Sequence, residues 1–281
     1  MFPEIITRQD LKFSLVAQED LRPLIETGRA AEDKLLIEEG EEDFSPGKGG
    51  PVDTQYVGIG LSGAISNIVY YNSFFYLGTG RMLSYLDDSS SGTGSSYQYT
   101  QISSFLTGAG IRLFFKQFLL SRIALDFVYA SGDGDQNATS IIEGNVEGSY
   151  GTFTPIAGSP ASLVFIPEPS NIMYGQISYS LKPLSQGKSS ALQTLQTMLL
   201  ITPYFRSAEG PISEPSVDPG PANNGPYLGT EIDAIINLRP FSDLGIGLQG
   251  GIFLPTKTTG IFVAGSDTLR LLAKLNISFS F

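Results

Sequence analysis

The sequence predicts an all-β fold: a single-chain antiparallel transmembrane β-barrel of about ten strands, with twelve as the alternative, short turns at one end and long loops at the other. Three observations lead there. The first is the C-terminal stretch. From Thr268 one parity carries Leu269, Leu271, Ala273, Leu275, Ile277, Phe279 and Phe281, and the other carries Thr268, Arg270, Leu272, Lys274, Asn276, Ser278 and Ser280. Side chains alternate between the faces of a strand, so this one has a greasy side and a wet side. It is also long enough to cross a bilayer, which takes roughly 9–11 tilted residues, against about 5–6 in a typical soluble strand. The second observation is composition: 32 Gly, 13 Tyr and 18 Phe stand beside only 16% charged residues. Mean hydropathy is nonetheless only +0.06, as expected where half of each strand faces water. The third is that connections alternate in kind, short near residues 66, 116, 187 and 241 and longer near 90, 150, 217 and 261, the pattern of barrels with short turns on one side and long loops on the other.

The elements follow in order. Residues 1–53 are acidic and poor in aromatics. Leu11–Ala17 and Lys34–Gly40 have strand patterns, and the stretch between them has room for a short helix. Glu38, Glu39, Glu41, Glu42 and Asp43 lead into the turn-rich FSPGKGGP, a solvated loop. The barrel itself is expected over 54–281. Thr54–Ile65 alternates Val57, Ile59 and Leu61 against Tyr56, Gly58 and Gly60, then turns at Ser66-Asn67 into a long aromatic strand, Asn67–Leu83. After a polar loop come Gln98–Phe115, a turn at Lys116-Gln117, and Leu119–Ala130. The longest loop runs from Ser131 to about Ser170. Then follow Asn171–Lys182, a Pro/Ser/Gly linker, Thr194–Arg206, a Pro-rich loop, the hairpin Gly229–Arg239 and Leu244–Pro255, and the final strand. With about nine strands from Thr54 onward, one N-terminal strand gives ten, and single-chain barrels of this kind are even-numbered. The rest of the acidic segment is expected to be partly periplasmic or a plug.

Composition excludes several function classes. Without Cys there is no disulfide framework or thiolate chemistry, and without His there is no Ser-His-Asp or Cys-His catalysis and no histidine-ligated metal. A net charge of −11 argues against a nucleic-acid partner. No basic and apolar leader follows Met1, so Met1 is expected to replace a removed signal peptide. No cofactor and no enzymatic activity are expected.

Two resemblances sharpen this reading. The chain ends on an aromatic residue, and Phe281 resembles the assembly signal that closes bacterial outer-membrane barrels. ALDFVYASGDGD (Ala124–Asp135) followed by GTFTPI, together with YLGTEIDAIINLRPFSDLGIGLQGGIFLP (Tyr227–Pro255), is similar to the alginate-export family of outer-membrane barrels over about the C-terminal 160 residues. The likeness is mainly architectural. It implies a barrel integral to the outer membrane, with lipid, lipopolysaccharide and the outer-membrane insertion machinery as partners. Alginate exporters also look to use an arginine-rich conduit, so the resemblance implies an interior suited to anions.

Assigning the more apolar parity of each strand to lipid leaves Arg112, Arg122, Lys182, Arg206, Arg239, Arg270 and Lys274 in the interior, against Asp126, Glu231 and Asp233. A basic lumen of this kind concentrates small anionic solutes, which makes a porin-like channel the leading expectation. The competing expectation is a closed structural or adhesive barrel, since small barrels fill their interiors and buried charges need partners; Glu231, Asp233 and Arg239 are such partners on that reading. A third is an anchor whose acidic N-terminal segment meets an envelope protein. Asp133, Asp135 and Asn137 have the one-three-five spacing of a calcium loop, but Ala138 and Gly144 occupy positions where such a loop needs Gly and Glu, so an ordinary surface turn is expected there.

Overall fold

A computed structural model describes residues 9–19, 52–86, 96–134, 149–156, 161–210, 212–214, 216–217, 225–257, 261–263 and 265–280. Among these, ten strands form one sheet. They are β1 Gln9–Gln18, β2 Val52–Ala64, β3 Val69–Leu86, β4 Ser96–Phe115, β5 Ser121–Ala130, β6 Ile172–Leu181, β7 Gln196–Arg206, β8 Tyr227–Leu238, β9 Leu244–Pro255 and β10 Arg270–Phe279. Sheet order follows chain order from β1 to β10, and each neighbouring pair is antiparallel. The expected all-β architecture of ten antiparallel strands is what the chain forms. The expected strand at Lys34–Gly40, the helix before it, the acidic run, Asp135, Asn137 and Phe281 lie outside the described residues. Within the linker between β6 and β7, where only irregular chain was expected, Ser190–Gln193 makes one helical turn, α1. Ala191, Leu192 and Gln193 are good helix formers, which accounts for it.

Cross-strand partners share a face, so the register carries one parity across the whole sheet. Ser14 faces Gly58, Gly58 faces Tyr76, Tyr76 faces Leu106 and Leu106 faces Ala130. Further on, Val128 faces Tyr174 and Tyr174 faces Tyr204; Thr202 faces Glu231, which faces Phe253, which faces Arg270. We call this the inner face, because the connecting loops fold onto it. The opposite face is apolar and exposed: Phe13 is 75% exposed, Leu15 79%, Leu271 70% and Leu275 63%, with Val57, Leu77, Leu125 and Ile177 exposed between them. The burial order of a water-soluble sheet is thus reversed. A hydrophobic cluster does exist, but it lies on the inner face toward the loop end, where Tyr56, Tyr204, Leu228 and Phe253 of the strands meet Phe153, Phe165, Ile212, Ile261 and Phe262 of the loops.

The inner face is levelled by glycine beneath aromatic rings. A Cβ at Gly58 would stand 2.2 Å from Tyr76 Cε1, and one at Gly108 would stand 2.5 Å from Phe74 Cζ and 2.9 Å from the Phe127 carbonyl oxygen. Each ring therefore lies flat over a neighbouring strand rather than projecting into the interior. We expect Gly108→Val to lower stability by about 1–3 kcal/mol through overpacking, seen as a lower urea midpoint. An unchanged midpoint would show that Phe74 repacks freely.

Candidate functional site

The described parts of the connection between β5 and β6 pack against the sheet. Tyr150 bridges β4, its amide donating to Gln101 O (2.8 Å) and its carbonyl accepting from Ser103 N (2.9 Å). The Ser131 hydroxyl donates to Gly151 O at 2.7 Å, and the Gly151 amide donates to Asp133 Oδ2 at 2.7 Å. Asp133 is thereby a loop-pinning acceptor. Farther along, Tyr56 donates its hydroxyl to Thr154 O, and the chain descends onto the inner face at residues 161–171.

There the descending segment meets Glu231, which is fully buried on the inner face of β8. Its Oε1 accepts from the amides of Leu163 (2.8 Å) and Val164 (2.6 Å), and its Oε2 accepts from Phe165 N at 2.6 Å. Three successive N–H groups that would otherwise be orphaned in an apolar setting thus share one carboxylate, each charge-assisted bond contributing about 1.5–3 kcal/mol. Phe165 then stacks on Phe253 at 4.3 Å between centroids and meets Tyr204 edge-on at 5.0 Å. Gln176 holds Ala161 O at 2.6 Å, and Ser162 shares a hydrogen bond with Tyr204. Gly251 leaves room for the approach, since a Cβ there would meet Asp233 Oδ1 at 2.4 Å and Val164 Cγ2 at 2.8 Å. The loop between β7 and β8 joins the plug through Asn171, whose Oδ1 accepts from Ala208 N at 2.8 Å, and Glu214 pairs with Arg270 at 3.4 Å.

The register places all ten sequence-selected interior residues on this one face or on its continuation past a strand end. Their surroundings divide by level. At the loop end, Glu231 and Asp233 are buried under the plug, Arg206 is buried and Arg270 is paired with Glu214. Arg239, at the opposite end of β8, has no ion pair with Glu231 or Asp233 among the described residues. Glu231 instead takes backbone donors, because the loop reaches it and Arg239 does not. In the middle, Arg112 donates to Asn72 Oδ1 at 2.7 Å and pairs with Asp126 at 3.4 Å, both partly exposed; such a pair is worth at most about 1 kcal/mol. Toward the turn end, Arg122, Lys182, Arg239 and Lys274 have no carboxylate partner among the described residues; Arg122 reaches only Met198 Sδ, at 3.9 Å. A cavity of about 470 Å³ lies at this mouth, lined by Arg239, Gln196, Asn237 and Asn276 with the bare positions Gly245 and Gly247. The described residues thus place four cations without carboxylate partners toward the turn end of the inner face, beneath the loop segment that covers its other end, and no cluster of three metal-ligating side chains occurs among them.

Two features escaped sequence reading. Lys12 faces inward on β1, and the alternation of Leu11, Phe13 and Leu15 against Lys12 and Ser14 already carried that signal. The plug was signalled only by apolar residues inside loops, such as Phe153, Phe165 and Ile212. Glu231→Ala leaves three buried amides without an acceptor, at about 1–3 kcal/mol each. We expect at least about 3 kcal/mol of lost stability and accelerated hydrogen exchange at Leu163, Val164 and Phe165, with Glu231→Gln milder; unchanged exchange there would show that the plug is held elsewhere. No model of a known protein family matches this chain, and no curated protein is similar to it.

Proposed function

We propose that the chain closes into a ten-stranded outer-membrane barrel that admits small anionic solutes to a basic vestibule on its periplasmic, turn side, with the loop plug as the constriction. The observation that carries this reading is an exposed apolar face on all ten strands, opposite turn-side cations that lack carboxylate partners among the described residues. Joining β1 to β10 satisfies the two open edges, which a bilayer interior requires. Ten-residue strands such as β1, β5, β6 and β10, tilted by roughly 45° at about 3.3 Å per residue, cover about 23 Å, close to the ~25 Å apolar band of such barrels. Outer-face aromatic pairs, Phe105 stacked on Tyr129 (5.4 Å) and Phe205 tilted against Tyr227 (5.3 Å), lie toward the loop end. The ion pair Arg81–Asp53 follows farther along the strands, in the order of an interfacial girdle and the headgroup region. The likeness to alginate-export barrels agrees with an anion path.

Partners on this reading are membrane lipid and lipopolysaccharide, the outer-membrane insertion machinery, and the solute. A second reading, a closed structural or adhesive barrel, is favoured by the plug itself.

Planar-bilayer recording separates the two. The channel predicts anion-selective current, a larger current in Glu231→Gln, and anion preference reduced in Arg122→Gln/Arg239→Gln/Lys274→Gln. Silence in both the wild type and Glu231→Gln selects the closed barrel. Because the chain has no Cys, single introduced cysteines report topology: in vesicles we expect Leu275→Cys to resist a membrane-impermeant maleimide and Ser185→Cys, in the β6–β7 turn, to react from the turn side only. Rapid labelling at position 275 would remove the transmembrane assignment.

A further inference from the structure

We propose that a second cavity, on the inner face of β1–β6 beneath the plug, binds a small amphipathic anion: a monocarboxylate with a flat apolar body. This deepens the vestibule reading by naming the solute class, and it rests on that reading only for the enclosure of the inner face. The cavity measures about 540 Å³, within the roughly 300–1,000 Å³ of small-molecule sites. Its polar groups are donors. Lys12 has no carboxylate partner among the described residues, and Asp10, the nearest acid on its own strand, does not line the cavity. Asn72 spends its Oδ1 on Arg112, which turns the remaining amide N–H groups into donors for something else. The Ser14 and Ser62 hydroxyls stand beside them. No acidic side chain lines the space: Asp10, opposite Ser62 on the same face, lies outside it and makes no ion pair with Lys12, and Asp126 is engaged by Arg112.

The remaining walls are apolar. Phe74 and Tyr76, 6.0 Å apart, and Tyr174 present ring surface, with Leu106 and Val128 between them and Pro169 of the plug on the rim. Gly60 leaves the floor open: a Cβ there would come no closer than 3.6 Å to any atom outside its chain neighbours. Lys12 is the one cation among the lining residues, and the charge of Arg112 is offset by Asp126, which matches a ligand of charge minus one. Ring-lined walls disfavour a sugar, whose hydroxyls would be buried without partners. They favour a flat carbon body over a bare inorganic anion.

The test is titration of the full-length refolded protein with sodium benzoate, followed by calorimetry and by tyrosine fluorescence, which is uncluttered because the chain has no Trp. Acetate and benzyl alcohol serve as comparators lacking the ring and the charge. We expect saturable benzoate binding, with both comparators at least about tenfold weaker, and Lys12→Gln weakening benzoate by about tenfold. Lys12 is exposed on β1, so this variant keeps the fold even where Gly60→Leu, which fills the floor and is expected to abolish binding, does not. Absence of saturation, equal affinity for acetate, or unchanged affinity in Lys12→Gln overturns the proposal. Anion-selective current without benzoate binding removes this site and leaves the channel standing; benzoate binding without current removes the channel and leaves the site.

Discussion

An antiparallel register transmits parity. Once Ser14 lies opposite Gly58, every later pairing decides which side of the sheet a residue occupies, through to Arg270 opposite Phe253. A slip of one residue at any step would exchange the faces of all that follows, carrying Arg112 outward and Leu125 inward. Both the exposed greasy surface and the gathered cations depend on nine successive pairings keeping step. Glycines beneath Tyr76 and Phe74 help to enforce it, since each ring fits only over the residue that lacks a side chain.

On that two-faced sheet the described loop segments cover the inner face toward one end. The plug needs an acceptor for three consecutive amides inside an apolar cluster, and Glu231 supplies it. A carboxyl group at this depth is tolerable because those amides satisfy its oxygens in place of water. At the turn end, by contrast, Arg122, Arg239 and Lys274 have no carboxylate partner among the described residues. Asymmetry between the two ends therefore follows from where the long loops are: only they have the reach to fold inward and neutralise what they cover.

The amphipathic-anion cavity sits at the boundary between these halves. Its rings belong to the same inner-face aromatic layer that packs beneath the plug, and its donors belong to the wetter half. Tyr76 and Tyr174 of its wall also pack against the inner-face cluster, and Pro169 of the descending segment lines its rim.

The alternation of Leu271, Leu275 and Ile277 against Arg270, Lys274 and Asn276 was sufficient in the sequence to define two faces, because period-two chemistry is local and needs no partner. By the same logic the parity of Arg112, Arg122, Asp126 and Glu231, the strand number and the order of short and long connections were legible, with strand ends displaced by a few residues. What answers each of those side chains was not legible. Glu231 binds the Leu163–Phe165 backbone some seventy residues away in the chain rather than Arg239, Asp133 holds a loop amide, and Phe165 and Ile212 leave their loops to join the core. Such pairings depend on where a loop returns in space, and only tertiary packing decides that.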